Sequence, residues 1–167
     1  MGFWERTWQE RGDEVRRRFG PTDPPDYVVS FSWKDVRLPG ACALIFPPVL
    51  ETGDPRGAWH RRDHWLYLTL GLTQPLDKKQ VERERRAGKQ YSSYGFELGI
   101  LTADRADWPP QALYLFLSHI TEGLNLKWGD RFAFGFRNES GGKIVPFTGL
   151  AQDRGINPVG NIRAMLF

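Results

Sequence analysis

The chain has 167 residues, and its 23 lysine and arginine residues against 20 aspartate and glutamate residues give a formal net charge of +3. This length suits one domain, and a hydrophobic content of 40% is enough for one core. The composition excludes disordered and collagen-like chains, and the small charge excess argues against a dedicated DNA-binding domain. Because Cys42 is the single cysteine, an intrachain disulfide is excluded and a reducing compartment is expected.

The apolar segments of the sequence are too short to cross a membrane. Residues 41–46 and 112–117 are the longest, well below the roughly 20 residues that a spanning helix needs. The N-terminus carries charge within five residues and lacks the apolar stretch of a secretory signal. We therefore expect a cytoplasmic protein without a membrane partner.

The first twenty residues have the pattern of an amphipathic helix. Trp4, Trp8, Val15 and Phe19 fall within about 60° of one another at helical spacing, and the remaining positions are largely charged. A proline-rich segment follows, which helical geometry does not tolerate. We predict a single domain over 1–167, with an N-terminal helix at 1–20, a linker at 21–26 and an α+β body at 27–167.

Several segments have the alternation of β-strands. In the segment 65–72, four leucines at even positions alternate with Trp65, Tyr67 and Thr69, so we expect the leucines to share one face. Strands are also predicted at 27–33, 41–46, 96–102 and 131–137, and a strand or helix at 161–167.

A second helix is predicted after residue 108. Asp107 or Trp108 precedes two prolines, which the start of a helix tolerates, and Gly123 suits its end. Its predicted buried face consists of Ala112, Leu113, Phe116, Leu117 and Ile120. Strands outnumber helices, so the predicted class is α+β, with a mixed, largely antiparallel sheet packed with two main helices.

Residues with catalytic or metal-binding chemistry are isolated in this sequence. His60 and His64 have the spacing of helical metal ligands, but they flank two arginines and lead into a strand, which favours an exposed basic loop. His119 and Cys42 are predicted to be structural. Glu97 lies on an apolar strand without an identifiable partner, which favours a structural hydrogen-bonding role over catalysis. No enzyme activity, metal or cofactor is predicted.

The charge excess is concentrated in one segment. Residues 77–89 contain six basic and three acidic residues, so the rest of the chain has no net charge. Such a segment is typically a solvated loop or a short exposed helix, and it can also recognise an acidic partner. Seven tryptophans add residues of the type that anchors protein interfaces. The candidate protein-binding residues are Lys78, Lys79, Arg83, Arg85, Arg86, Lys89, Tyr91 and Tyr94.

Five short motifs lie in register over roughly residues 26–136. They are Pro47-Pro48 after an early strand, the aromatic strand that runs into Gly71-Leu72-Thr73, Gly95-Phe96-Glu97-Leu98, Trp108-Pro109 before a helix, and Gly129-Asp130. Together these motifs resemble the suppressor-of-fused domain. The resemblance implies an α+β protein-binding module without catalytic activity. Eukaryotic relatives grip a peptide of a zinc-finger transcription factor between two domains, whereas many single-domain bacterial relatives are thought to be immunity proteins that neutralise a toxin.

The resemblance does not extend to peptide specificity. Animal members place an aromatic and an acidic residue toward the peptide, in the loop where this sequence has Leu76 and the basic stretch through Lys89. We therefore expect a bacterial suppressor-of-fused-like domain that binds another protein stoichiometrically, as an immunity protein does. The alternatives are a nucleic-acid-binding module that uses residues 77–89 and an enzyme whose pocket the sequence does not reveal.

Overall fold

A computed structural model describes residues 2–24, 28–32, 34, 37–49, 63–75, 77–88 and 93–124, together with the backbone of four later strands. Its helices are α1 (Phe3–Phe19), α2 (Lys78–Arg86) and α3 (Pro109–Thr121). The strands are β1 (Val28–Ser30), β2 (Cys42–Phe46), β3 (Trp65–Leu70), β4 (Glu97–Thr102), β5 (Ala133–Phe136), β6 (Lys143–Pro146), β7 (Ala151–Asn157) and β8 (Gly160–Leu166).

Six strands form one mixed sheet in the order β1-β2-β3-β4-β8-β7. The first four are antiparallel neighbours, β8 pairs with β4 in parallel, and β7 pairs antiparallel with β8. Strands β5 and β6 pair separately. The predicted α+β class with a largely antiparallel sheet is confirmed. Residues 161–166 lie in β8, a strand rather than a helix, and Phe167 lies outside the described residues.

The two faces of the sheet carry separate apolar clusters. Helix α3 contributes Ala112, Leu113, Phe116, Leu117 and Ile120 to the cluster on one face, which is the buried face predicted from the sequence. Each large apolar side chain buried in this way contributes about 1.5–3 kcal/mol to stability. The helix ends before Gly123, whose φ of 111° lies outside the range that other residues readily adopt.

Helix α1 belongs to the cluster on the opposite face. Val15 and Phe19 are buried there, and the Phe19 ring lies 5.6 Å from that of Phe46. Trp4 and Trp8 are half-buried and stack on each other with 5.3 Å between ring centroids. The predicted stripe is therefore confirmed as the side of α1 that packs against the protein, and the sheet lies between two helices.

One prediction about the leucines of residues 65–72 is wrong. Leu66, Leu68 and Leu70 lie in the cluster with α1, but Leu72 lies in the cluster with α3. Strand β3 ends at Leu70, and Gly71, with a φ of 148°, redirects the chain so that alternation no longer holds. A Cβ on Gly71 would also lie 3.0 Å from the Cβ of Ala41, so this turn requires glycine.

The segment predicted as a linker is packed against the sheet where the structure describes it. Thr22 is buried, and the Asp23 N–H donates to the carbonyl of Ile45 at 2.9 Å. In the described part of the chain, none of the helices combines the length and apolar character needed to cross a membrane.

Candidate functional site

The basic segment forms the short helix α2, which is set in place at its start. Asp77 caps the helix, because its carboxylate accepts a hydrogen bond from the Gln80 N–H at 2.8 Å. Val81 is the one apolar residue of α2 and is buried. Arg83, Arg85 and Arg86 occupy the last turn, where positive charge interacts favourably with the helix dipole.

The basic side chains of α2 are exposed to solvent, whereas two of the three acidic side chains in residues 77–89 bind backbone N–H groups. Asp77 and Glu84 accept hydrogen bonds from backbone N–H groups, and Glu82 is exposed. The exposed basic residues of this helix, here called the α2 basic surface, are Lys78, Lys79, Arg83, Arg85 and Arg86.

Tyr94 is held beside this surface by two contacts. The Glu84 carboxylate accepts hydrogen bonds of 3.1 and 3.2 Å from the Ser93 N–H, and the Leu72 carbonyl accepts one of 3.0 Å from the Tyr94 N–H. Ser93 has a φ of 54°, which is unfavourable for a residue with a Cβ and persists only where neighbours impose it. The Tyr94 side chain is 42% exposed.

The turn before α2 is fixed by the buried carboxylate of Glu97. Its Oε1 accepts hydrogen bonds from the N–H groups of Gly71 and Thr73 at 3.1 and 2.9 Å and from the Thr73 hydroxyl at 2.7 Å. Its Oε2 accepts bonds from the Leu72 N–H at 3.3 Å and the Thr69 hydroxyl at 2.7 Å. Because Leu72 also accepts from Tyr94, Glu97 supports the position of Tyr94 through the turn.

All five contacts of Glu97 present a donor to it. The Thr69 hydroxyl accepts from the Leu98 N–H at 2.8 Å, and the Thr73 hydroxyl accepts from the Arg11 Nε at 3.3 Å, so each hydroxyl directs its own proton to Glu97. Burial raises the pKa of the Glu97 carboxyl, while the hydrogen bonds from Thr73, Thr69 and the turn oppose that rise. Glu97 acts as a structural acceptor, as the sequence predicted, and has no surface for a substrate.

Arg11 supplies a positive charge next to this network. Its side chain is fully buried, and besides the Nε contact its Nη2 donates to the Thr73 carbonyl. Burial lowers the pKa of Arg11 to about 10, while the negative charge of Glu97 opposes the fall, so Arg11 is charged at neutral pH. Helix α1 is thereby joined to the turn that precedes α2.

Sequence reasoning missed Arg11. The sequence pattern places it among the charged positions of α1, but it lies three residues after Trp8 and four before Val15, at the edge of the apolar stripe. A charged residue at such a position is a signal of a buried polar contact. The partner could not be named, because Thr73 lies 62 residues away in the sequence.

The structure brings together six of the eight candidate binding residues. The α2 basic surface and Tyr94 are described above, whereas Lys89 and Tyr91 lie outside the described residues. Helix α2 and Tyr94 are linked through the contact between Glu84 and Ser93.

The other titratable candidates do not come together. His64 contacts the neighbouring Asp63 and is partly exposed, and His119 is exposed on α3, 3.6 Å from Glu122. His60 lies outside the described residues. Among the residues that the structure describes, no group of three or more histidine, cysteine or acidic side chains could hold a metal ion.

Cys42 is buried on β2, as predicted for a small apolar residue. Burial raises the pKa of its thiol to about 12, and the negative charge of Glu97 adds to this. A thiol in this state is a poor nucleophile at neutral pH.

Comparisons of the chain with protein-family models, with curated proteins and with solved structures gave no match. The resemblance to the suppressor-of-fused domain therefore stays a prediction.

Proposed function

We propose that this protein is a non-catalytic binding module that uses the α2 basic surface and Tyr94 to bind an acidic surface of another protein. In keeping with the suppressor-of-fused resemblance, the proposed role is that of a bacterial immunity protein that neutralises a toxin by stoichiometric occlusion.

One observation carries this proposal: five exposed cations lie on a nine-residue helix, beside an exposed tyrosine. The cap by Asp77, the Glu84 contact with Ser93 and the Glu97 turn fix this surface in advance. A surface that is already ordered loses less entropy when it binds. Tyrosine and arginine are also enriched among the residues that dominate binding energy at protein interfaces.

Two features favour a protein over a nucleic acid as the partner. Glu82 is exposed on the same helix as the basic residues, and a carboxylate at that position repels a phosphate backbone. The chain outside residues 77–89 has no net charge, so a phosphate chain finds no extended positive field.

The environment of the reactive groups supports a non-catalytic role. The Glu97 carboxylate is sealed from solvent with donors at all five contacts, and the raised pKa of Cys42 keeps its thiol protonated. His64 and His119 each lie at the surface beside a single acidic residue. Catalysis by such groups requires a partner and an accessible cavity.

The proposal is tested by affinity capture from the native cell with the tagged protein, beginning with the product of the adjacent gene. We expect capture of a protein that is toxic when produced alone and harmless when this chain is co-produced. The double variant Arg83→Glu/Arg86→Glu should associate with it at least about tenfold more slowly at low salt, with a flatter salt dependence.

The matched control is Lys34→Glu/Arg37→Glu, which reverses two exposed charges outside α2. It should associate with the captured protein at a rate close to that of the wild type. Equal association by both double variants would remove the α2 basic surface from the mechanism. Capture of nucleic acid that only Arg83→Glu/Arg86→Glu abolishes would replace the proposal with the nucleic-acid alternative.

A further inference from the structure

Three of the five cations of the α2 basic surface form a row along the helix. At about 100° per residue, Lys79, Arg83 and Arg86 fall within about 60° of one another. Val81, the buried residue of this helix, lies about 140–160° away from each of them. The three exposed residues, here called the cationic row, therefore project away from the protein.

The remaining two cations lie on a different side of the helix. At the same spacing, Lys78 and Arg85 are roughly 100–130° from the middle of the cationic row. A partner that lies along the row therefore reaches these two residues less readily. This separation provides a control with the same charge on the same helix.

Within the part of the chain that the structure describes, the cationic row has no ion-pair partner. Glu84, which follows Arg83 in the sequence, instead accepts hydrogen bonds of 3.1 Å from the Gln80 Nε2 and from the Ser93 N–H. Like charges three and four residues apart destabilise a helix. An acidic partner that faces the row would relieve this repulsion.

The spacing of the cationic row matches that of a second helix. Four residues separate Lys79 from Arg83 and three separate Arg83 from Arg86, which corresponds to rises of about 6 and 4.5 Å. Carboxylates at positions i, i+4 and i+7 of a helix have the same two rises and share one face. An extended strand brings a residue to the same face only about every 6.6–6.8 Å, so it does not reproduce the shorter rise.

Glu82 adds a condition on the partner. It is exposed and lies about 40–60° from Arg86 and Lys79 at helical spacing. A facing helix can place an uncharged side chain opposite Glu82, whereas a phosphate backbone carries a charge on every unit. A carboxylate beside the row therefore favours an acidic helix over a nucleic acid.

We infer that the α2 basic surface binds an acidic helix of its partner, whose carboxylates pair with the cationic row. This inference rests on the proposed function, because it specifies which part of a partner protein the surface contacts. Arg83 and Arg86 can each bind a carboxylate through two parallel N–H···O bonds, which fixes the orientation of the facing helix. Lys79 adds a point charge at the start of the row.

The test is a fluorescence anisotropy titration of the full chain with two labelled helical peptides at low salt. Both peptides are alanine-rich, about 18 residues long, and carry the same staple and four glutamates. In the row peptide the glutamates occupy positions i, i+3, i+4 and i+7, which match the cationic row in either direction. In the distributed peptide they are spread around the helix. We expect the row peptide to bind at least about fivefold more tightly.

Two double variants remove the same charge from different sides of α2. Arg83→Gln/Arg86→Gln should weaken binding of the row peptide at least about fivefold and remove most of the preference for it, whereas Lys78→Gln/Arg85→Gln should retain the preference. Thermal unfolding verifies that both variants are folded. Equal affinities of the wild type for the two peptides, or equal losses in the two double variants, would overturn the inference.

The peptide titration is independent of the capture experiment. Capture of a toxin by a wild type that does not distinguish the peptides would overturn this inference and leave the proposed function in place. Preference for the row peptide together with failed capture would support the pairing and count against the immunity role. Tighter binding of an oligothymidylate with the same net charge as the row peptide would overturn the inference in favour of a phosphate backbone.

Discussion

Glu97 shows how one buried carboxylate can order residues that are distant in sequence. Its partners lie 24–28 positions away, in β3 and in the turn that follows this strand. The turn precedes α2, and its Leu72 carbonyl accepts from Tyr94. A residue without access to any ligand thus determines where the proposed binding residues lie.

Replacement of this carboxylate by an amide should be severely destabilising. In Glu97→Gln one oxygen acceptor remains, and the NH₂ group faces N–H donors, so we expect a loss of about 2–5 kcal/mol in the free energy of unfolding. Chemical denaturation measures this loss. Glu122→Gln, at an exposed position after α3, is the control and should change stability by less than about 0.5 kcal/mol. A loss equally small in Glu97→Gln would contradict the described network.

Helix α2 is attached by polar contacts and by little apolar burial. Val81 is its one buried residue, and the Asp77 cap and the Glu84 contact also hold the helix in place. Two acidic residues of the helix therefore differ in role: Glu84 bonds the Ser93 N–H, whereas Glu82 is exposed. Variants of these two residues can therefore be compared with the same change in net charge.

Glu84→Gln should loosen the turn that carries Tyr94, whereas Glu82→Gln should not. Both variants raise the net charge by one, so any electrostatic effect on a partner is shared. In Glu84→Gln the weaker acceptor holds Ser93 less firmly, and amide hydrogen exchange at Ser93 and Tyr94 should accelerate by about tenfold. Equal exchange rates in the two variants would show that Glu84 does not order this turn.

At the scale of the molecule, the sheet separates two apolar clusters, and α1 closes one of them. Cys42 lies in that cluster with Val15 and Phe19. As the single cysteine of the chain, it reports at one site on whether the cluster is open. Its raised pKa and its burial both suppress reaction in the closed state.

Phe19→Ala should expose Cys42 more often. Removal of this buried ring is expected to lower the free energy of unfolding by about 3–5 kcal/mol. When opening and closing are faster than the reaction of the thiol, the labelling rate follows the equilibrium population of the open state. Labelling by a disulfide reagent at pH 8 should then accelerate by a factor of about 100 or more. Arg17→Gln, at an exposed position of α1, should label at the wild-type rate. Native wild-type protein that labels as fast as the denatured chain would contradict the closed cluster.

The sequence by itself determined the features that depend on the periodicity of one segment. The buried face of α3, the stripe of α1, the positions of the main strands and the exposed basic segment follow from side-chain spacing, because a regular backbone repeats its faces at fixed intervals. It also favoured a structural role for Glu97, since a lone carboxylate on an apolar strand must find donors.

Only the tertiary structure decided which distant groups meet. Chain reversals and long-range pairs decide four features: the burial of Arg11, its contact with Thr73, the side of the sheet on which Leu72 lies, and the link between Glu84 and Ser93. A cleft beneath Trp4 and Trp8 likewise combines one helix with three strands. Periodicity describes how a segment faces its surroundings, but the partner it meets is set by packing between segments, which no local pattern encodes.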